Sequence, residues 1–528
     1  MAASQFVPPY YPIIYVRGYA GNEEEVENAV ADPYMGFNLG ATKVRQLWTG
    51  DVERYYFESP LVRLMKDCKY RDVYEGGEAM PPDLDLSSRS IFIYRYYDLV
   101  SSSFGTGERP EIETYAQGLN DLIEKIRDRM CDSPKSKEKF RVYLVAHSMG
   151  GLVCRCFLQN FNCGSAEARA AVDKVFTYAT PHNGIDLRVV GNVPGFFSRN
   201  NANNFNREHM EEYLALSGGE AASEEKSVAS LDGKFDVDRF FCLVGTNHRD
   251  YGAAHGWSSR VVGPMSDGLV RIKNATVHSP KIENNVEKIH HAPRAFVNRS
   301  HSGHYGIVNS EEGYQNLTRF LFGDVRVDGV LEIDKLTLPP AIRRKKAKAE
   351  KENKEFTLRA SYHIDVVVRV RGARWDLHRR TVSENSAIFR SYEDLFERGG
   401  LARHPHLFST FLSTGSRVMK NRKSLGFSID LGVRVPEYEI NRNWWPDDHY
   451  AGGYLYRDKI NFEATPPSES NPGWRLKFGY DSITPNRVSR KATACEDSGK
   501  LVFAIPICQR KDPGIAATLK LTAVGWNR

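Results

Sequence analysis

The residue most able to do chemistry is Ser148, in the run Val145-Ala146-His147-Ser148-Met149-Gly150-Gly151. An apolar strand signal leads into it and a helix signal follows. A serine held on a very tight turn between strand and helix projects its oxygen out of the sheet. That turn requires small residues two before and two after, because larger side chains would collide across it. Ala146 and Gly150 stand there. A serine hydroxyl is a poor nucleophile until a base takes its proton, and the base needs an acid to orient it. Two histidines downstream stand out, His301 and His304, in Ser300-His301-Ser302-Gly303-His304-Tyr305-Gly306-Ile307. The acid candidate is Asp267 in Ser266-Asp267-Gly268-Leu269-Val270, with Asp250 and Asp186 as alternatives. A nucleophile also needs backbone amides aimed at the charge that develops on the attacked carbonyl. Met149, next to the serine, would supply one. The other must come from a neighbouring loop.

The elements that must hold these residues alternate between strand and helix over the first ~325 residues. Short apolar strands are expected at Ile13–Val16, Ile91–Tyr94, Val142–Val145, Val175–Tyr178, Phe240–Val244 and Ala295–Val297. Residues 110–130 keep a helical period through Ile112, Tyr115, Leu119, Leu122, Ile123 and Ile126. Strands separated by helices imply a mostly parallel sheet covered on both faces. Residues 186–235, rich in Asn, Gly, Ser and Glu, interrupt the rhythm. A lid or cap over the site and a plain surface excursion are the two readings of this insertion.

The serine motif resembles the nucleophile turn of α/β-hydrolase lipases and carboxylesterases, some of which carry the same Ala-His-Ser-Met-Gly run. Thr177-Tyr178-Ala179-Thr180-Pro181-His182-Asn183-Gly184 is similar to the strand and turn that follow the nucleophile helix there, with His182 structural. The resemblance implies the chain order Ser, Asp, His, which places the acid at Asp267. Gly303-His304-Tyr305-Gly306-Ile307 resembles the context of the base in small bacterial lipases. His304 is therefore the base the resemblance implies, and His301 the alternative. Lipases have His-Gly and a variable residue where this chain has Arg17-Gly18-Tyr19, so the resemblance implies the Tyr19 amide as the second donor to the oxyanion. The reaction implied is carboxylic ester hydrolysis through an acyl-enzyme, with small-molecule or lipid ester substrates and no cofactor. Acyl transfer by the same residues is an alternative. A second alternative is an interaction protein whose C-terminal domain does the work.

The whole chain has 528 residues, 41% hydrophobic and 26% charged. A single core stops growing at roughly 250–300 residues, so at least two domains are expected. We divide the chain into an α/β-hydrolase domain at 1–325, a charged linker at 326–356 and a smaller all-β, sandwich-like domain at 357–528. The last shows alternating runs at Ile364–Val370, Phe427–Leu431, Leu501–Ile505 and Leu519–Val524. The linker contains Arg343-Arg344-Lys345-Lys346-Ala347-Lys348-Ala349-Glu350-Lys351, read as a solvated segment or short charged helix, with a membrane-surface patch as the sharper alternative. Trp444 and Trp445 read as packing.

The net charge of +6 is too mild to imply nucleic-acid binding. Contact with a membrane or lipid aggregate is compatible with it. The eight cysteines fit neither a zinc spacing nor a compact disulfide framework. No signal peptide or ~18–20-residue apolar span is apparent. A cytoplasmic location is the expectation, signal-independent secretion being compatible with it.

Overall fold

The computed structural model describes the chain apart from residues 1–5, 7, 19–26, 28–29, 33, 36, 38–40, 47–48, 51, 76–77, 82, 104–105, 107–109, 186–202, 217–226, 251–261, 284–285, 304–305, 374, 418–422, 441–447, 470–472, 498 and 528. The chain divides into two compact units, Met1–Phe322 and Gly323–Arg528.

The first unit is built on a seven-stranded parallel sheet. Its strands are β1 (Ile13–Val16), β2 (Arg71–Asp72), β3 (Ser90–Tyr94), β4 (Val142–His147), β5 (Val172–Tyr178), β6 (Phe240–Gly245) and β7 (Arg294–Val297). Their order is β7-β6-β5-β4-β1-β3-β2. All six strands expected from the sequence are present, and β2 adds a two-residue edge. Central strands read as unbroken apolar runs because both faces of a parallel sheet are covered. On one face Ile14, Leu144, Val175 and Cys242 share a core with helices α1 (Ile112–Met130) and α2 (Gly150–Gln159). On the other, Phe176 and Phe241 pack on Phe320 of helix α4 (Glu311–Phe322), at 6.0 and 5.2 Å between ring centroids. This is the α/β-hydrolase arrangement anticipated above. Helix α3 (Arg207–Tyr213) lies within the insertion.

Lys174 is fully buried on β5. Its Nζ donates to the Leu321 carbonyl at 2.8 Å, at the C-terminal end of α4, where the helix dipole favours a cation. Burial nevertheless pushes its pKa down to about 7.

The second unit consists of two antiparallel sheets. One has the order β10-β8-β16-β15-β14, from β8 (Val325–Leu336), β10 (His406–Leu412), β14 (Thr493–Asp497), β15 (Lys500–Gln509) and β16 (Ile515–Gly525). The other is centred on β9 (Leu358–Val370), β11 (Leu425–Ile440), β12 (Asp448–Thr465) and β13 (Arg475–Tyr480). Inward residues of both, such as Leu331 and Leu519 from the first and Ile364 and Leu431 from the second, form one core. This is the β-rich domain expected from the alternating runs.

The charged linker at 326–356 is corrected. Val325, Val327, Leu331 and Ile333 are buried, while Arg326, Asp328 and Glu332 point the other way. That period of two makes 325–336 a strand hydrogen-bonded on both sides, to β10 and β16. The basic run then forms helix α5 (Pro340–Lys351), with Ile342 in the core. Trp444 and Trp445 lie outside the described residues. Among the described residues no helix is long and apolar enough to cross a membrane.

Lys174 gives a testable sign. Between about pH 7 and the ordinary lysine range the unfolded chain holds a proton there that the folded chain has released. Folding stability from this group therefore rises with pH across that window. Urea unfolding of the wild type and of Lys174→Met should show the wild type gaining on the variant from pH 7 to pH 10. A pH-independent difference would refute this.

Candidate active site

Ser148 follows β4 directly and has φ of 52°, in the left-handed region that non-glycine residues seldom adopt. Its amide still extends the sheet, donating to Tyr178 O at 2.9 Å. Its carbonyl accepts from the Thr180 hydroxyl at 2.8 Å. The strained turn is thus gripped through both its backbone groups. Crowding explains the small residues around it. A Cβ on Gly150 would stand 2.3 Å from Val16 O and 2.4 Å from Arg17 O. A Cβ on Gly18 would stand 2.7 Å from Ser148 Cβ and 2.9 Å from His147 Nδ1.

The structure brings Ser148, His301 and Asp267 into one hydrogen-bonded chain. His301 Nε2 is 2.9 Å from Ser148 Oγ, and His301 Nδ1 is 2.9 Å from Asp267 Oδ2. The three are 5%, 3% and 1% exposed, so water hardly screens them. Asp267 Oδ1 accepts from the Leu269 and Val270 amides at 3.0 and 2.7 Å. With both oxygens of the carboxylate accepting, Nδ1 of His301 must donate. Nε2 then presents its lone pair to the serine hydroxyl. The arrangement can remove a proton from Ser148 Oγ and stabilise the imidazolium that results.

His304, the base implied by the resemblance, lies outside the described residues. The imidazole found between Ser148 and Asp267 is that of the alternative, His301. The backbone supplies the reason. His301 N donates to Asp267 O at 3.0 Å, and Ser300 and Gly306 are bridged, which fixes residue 301 beside the acid.

Met149 is the N-cap of α2, so its amide stands ahead of the helical ladder, next to the nucleophile. Tyr19 lies outside the described residues. The turn before it is braced: Arg17 Nη1 donates to Met35 O, and Arg17 O accepts from Tyr96 OH at 2.7 Å. Arginine at this position therefore holds the turn. Asp250 is exposed and accepts from the Asn247 side chain, and Asp186 lies outside the described residues. His182 is fully buried, with Nε2 3.1 Å from Thr177 Oγ1, and is structural.

Sequence reasoning missed His147. Its Nε2 donates to the His301 carbonyl at 2.9 Å. Burial, then the nearby His301, push its pKa down to about 3. It stays neutral and does not compete with His301 for the serine proton. Its place beside the nucleophile was the only signal available.

The lid reading of 186–235 falls largely outside the described residues. The part that is described is tied to α2: Asn160 Nδ2 and Cys156 Sγ both donate to Tyr213 O, at 3.1 and 3.2 Å. The base of the insertion is held by Arg155, a fully buried residue of α2. Its guanidinium donates to His182 O, Val228 O and Ser230 O, each at 2.8 Å, and to the Gln159 side chain.

Gly18→Val should abolish ester turnover while circular dichroism shows the fold retained. Activity within tenfold of wild type would contradict the close approach.

Residues 108–237 match the family model described as the PGAP1-like alpha/beta domain. No curated protein sequence matches the chain. Among solved structures it is similar to the Bacillus licheniformis lipase BlEst2 in mature form, at 15% identity and TM-score 0.30, over 60% of this chain and 91% of that one. It is also similar to phospholipase PlaB from Legionella pneumophila, at 13% identity and TM-score 0.31, over 84% of this chain and 90% of that one. The parallel sheet and the left-handed serine turn give the N-terminal unit the α/β-hydrolase fold, and residues 108–237 within it match the PGAP1-like alpha/beta domain.

Proposed function

We propose that the chain is a serine esterase acting on carboxylic esters, lipid-like ones in particular, through an acyl-enzyme. The observation that carries this reading is the buried chain of hydrogen bonds from Ser148 through His301 to Asp267. The lipid-like substrate class rests on the resemblance of the serine and aspartate segments to lipases.

Ser148 Oγ attacks the ester carbonyl while His301 Nε2 takes its proton. The Met149 and Tyr19 amides hold the oxyanion. As the tetrahedral intermediate collapses, the C–O bond to the alcohol breaks and His301 returns the proton to the leaving oxygen. Water then repeats the sequence on the acyl-enzyme and releases the acid. Asp267 accepts from the imidazolium, and its two backbone donors prevent it from rotating away. His147 and Thr180 are positioning residues, acting through the His301 and Ser148 carbonyls.

The test is hydrolysis of a p-nitrophenyl ester series from short to long acyl chains. Ser148→Ala and His301→Ala should each lower kcat by about 10³-fold or more, and Asp267→Asn by a similar order through loss of the productive tautomer. His304→Ala should keep most of the activity. Retention by Ser148→Ala would sink the mechanism. Loss in His304→Ala with retention in His301→Ala would return the base to residue 304.

A further inference from the structure

Helix α5 carries six basic residues and one acidic in twelve, a net +5, whereas all 528 residues together carry +6. The rest of the chain is therefore close to neutral, and the charge excess is concentrated in one place. The helix is built against its own electrostatics. Its first turn has no acidic residue, and Arg343 and Arg344 stand near its positive end. Arg344 and Lys348 are like charges at i, i+4, a destabilising spacing.

What holds the helix is its inner side. Ile342 is fully buried in the core of the second unit. Lys346 Nζ donates to Tyr392 OH at 3.1 Å, and Lys345 Nζ stands 5.1 Å from the Tyr450 ring centroid. These anchors turn the opposite side outward. Arg344, Lys348 and Lys351, at i, i+4 and i+7, form an exposed stripe, with Arg343 beside it paired to Asp512 at 2.9 Å. Among the described residues, the carboxylate paired to the stripe is Glu352, 3.7 Å from Lys348 and also 2.8 Å from Lys354.

We infer that α5 docks the protein on an anionic lipid bilayer, through charge complementarity between this stripe and acidic headgroups. This rests on the reading of the chain as an enzyme for lipid-like esters. The substrate of such an enzyme lies in a surface, and clusters of four to eight Lys and Arg on a helix attract the acidic lipids of one. The apolar residue of the helix is spent on the core, so the contact is electrostatic. It does not insert, and it weakens with salt.

The experiment uses the full chain with Ser148→Ala, so that binding is read apart from turnover. The protein is sedimented with phosphatidylcholine vesicles, with and without 30% phosphatidylserine, at rising sodium chloride. Binding should require phosphatidylserine and fall at least tenfold between 50 and 500 mM salt. Arg344→Glu/Lys348→Glu/Lys351→Glu should lower partitioning about a hundredfold, on the scale of the attraction per basic residue. The same triple change with Ser148 intact should leave hydrolysis of a monomeric soluble ester unaltered, showing that the variant is folded. Should it not fold, the glutamine triple variant replaces it, and the wild-type salt response stands alone. Equal binding to both vesicle types, or undiminished binding by a folded triple variant, would overturn the inference. So would tighter binding to a short DNA duplex than to the acidic vesicles at equal salt, which would make the partner a nucleic acid. Failure of ester hydrolysis would leave the vesicle result readable, and failure of vesicle binding would leave the esterase reading standing.

Discussion

Everything at the candidate site depends on one backbone crossing. The chain leaves β4, turns through a left-handed Ser148 and enters α2 so close to the end of β1 that the Val16 and Arg17 carbonyls occupy the space a side chain at 150 would need. The turn is held from three directions. The sheet takes the Ser148 amide, Thr180 takes its carbonyl, and the β1 turn closes over it at Gly18. Strain of this kind persists only where the surroundings over-determine it. The parallel sheet, unbroken and buried on both faces, is what provides them.

The second organising feature is a pair of buried cations that donate to backbone carbonyls. Arg155 and Lys174 are both fully buried, and both donate to carbonyl oxygens. A guanidinium holds its donors in a fixed planar fork, which suits it to joining several carbonyls, where an ammonium is a compact point charge. Arg155 accordingly gathers two backbone segments, at residue 182 and at residues 228 and 230, while Lys174 donates to a helix end. Burial lowers the pKa of each, Arg155 to about 10 and Lys174 to about 7, so only the arginine stays securely charged at neutral pH.

The serine and the acid were legible because their signals are local. Ser148 needs small flanks and a strand before it, and Asp267 begins a turn whose amides fold back on its own carboxylate. The base was not legible in the same way. Two histidines stand three residues apart in the sequence, and what sets His301 beside the acid is a backbone bond from residue 301 to residue 267. No local pattern encodes that register. The segment at 326–356 was misread because its basic run dominates composition, while the preceding Val-Arg-Val-Asp alternation is the stronger structural signal. A strand that pairs on both sides with segments some 80 and 190 residues away leaves no trace of its partners in its own sequence.

The Arg155 fork has a consequence for how such a chain can change over generations. It binds residue 182 on one side and residues 228 and 230 on the other, and Asn183 Oδ1 accepts from Val228 N at 2.9 Å. The insertion therefore begins and ends at a common point fixed from beneath by the helix that follows the nucleophile. Closure entropy grows only with the logarithm of loop length, at about 0.6 kcal/mol per doubling. Length added between the anchors therefore costs little closure entropy, whereas the part of the stretch around Met210 and Tyr213, packed in the core and bonded to α2, must be kept. One buried arginine thus fixes the two points between which length can vary.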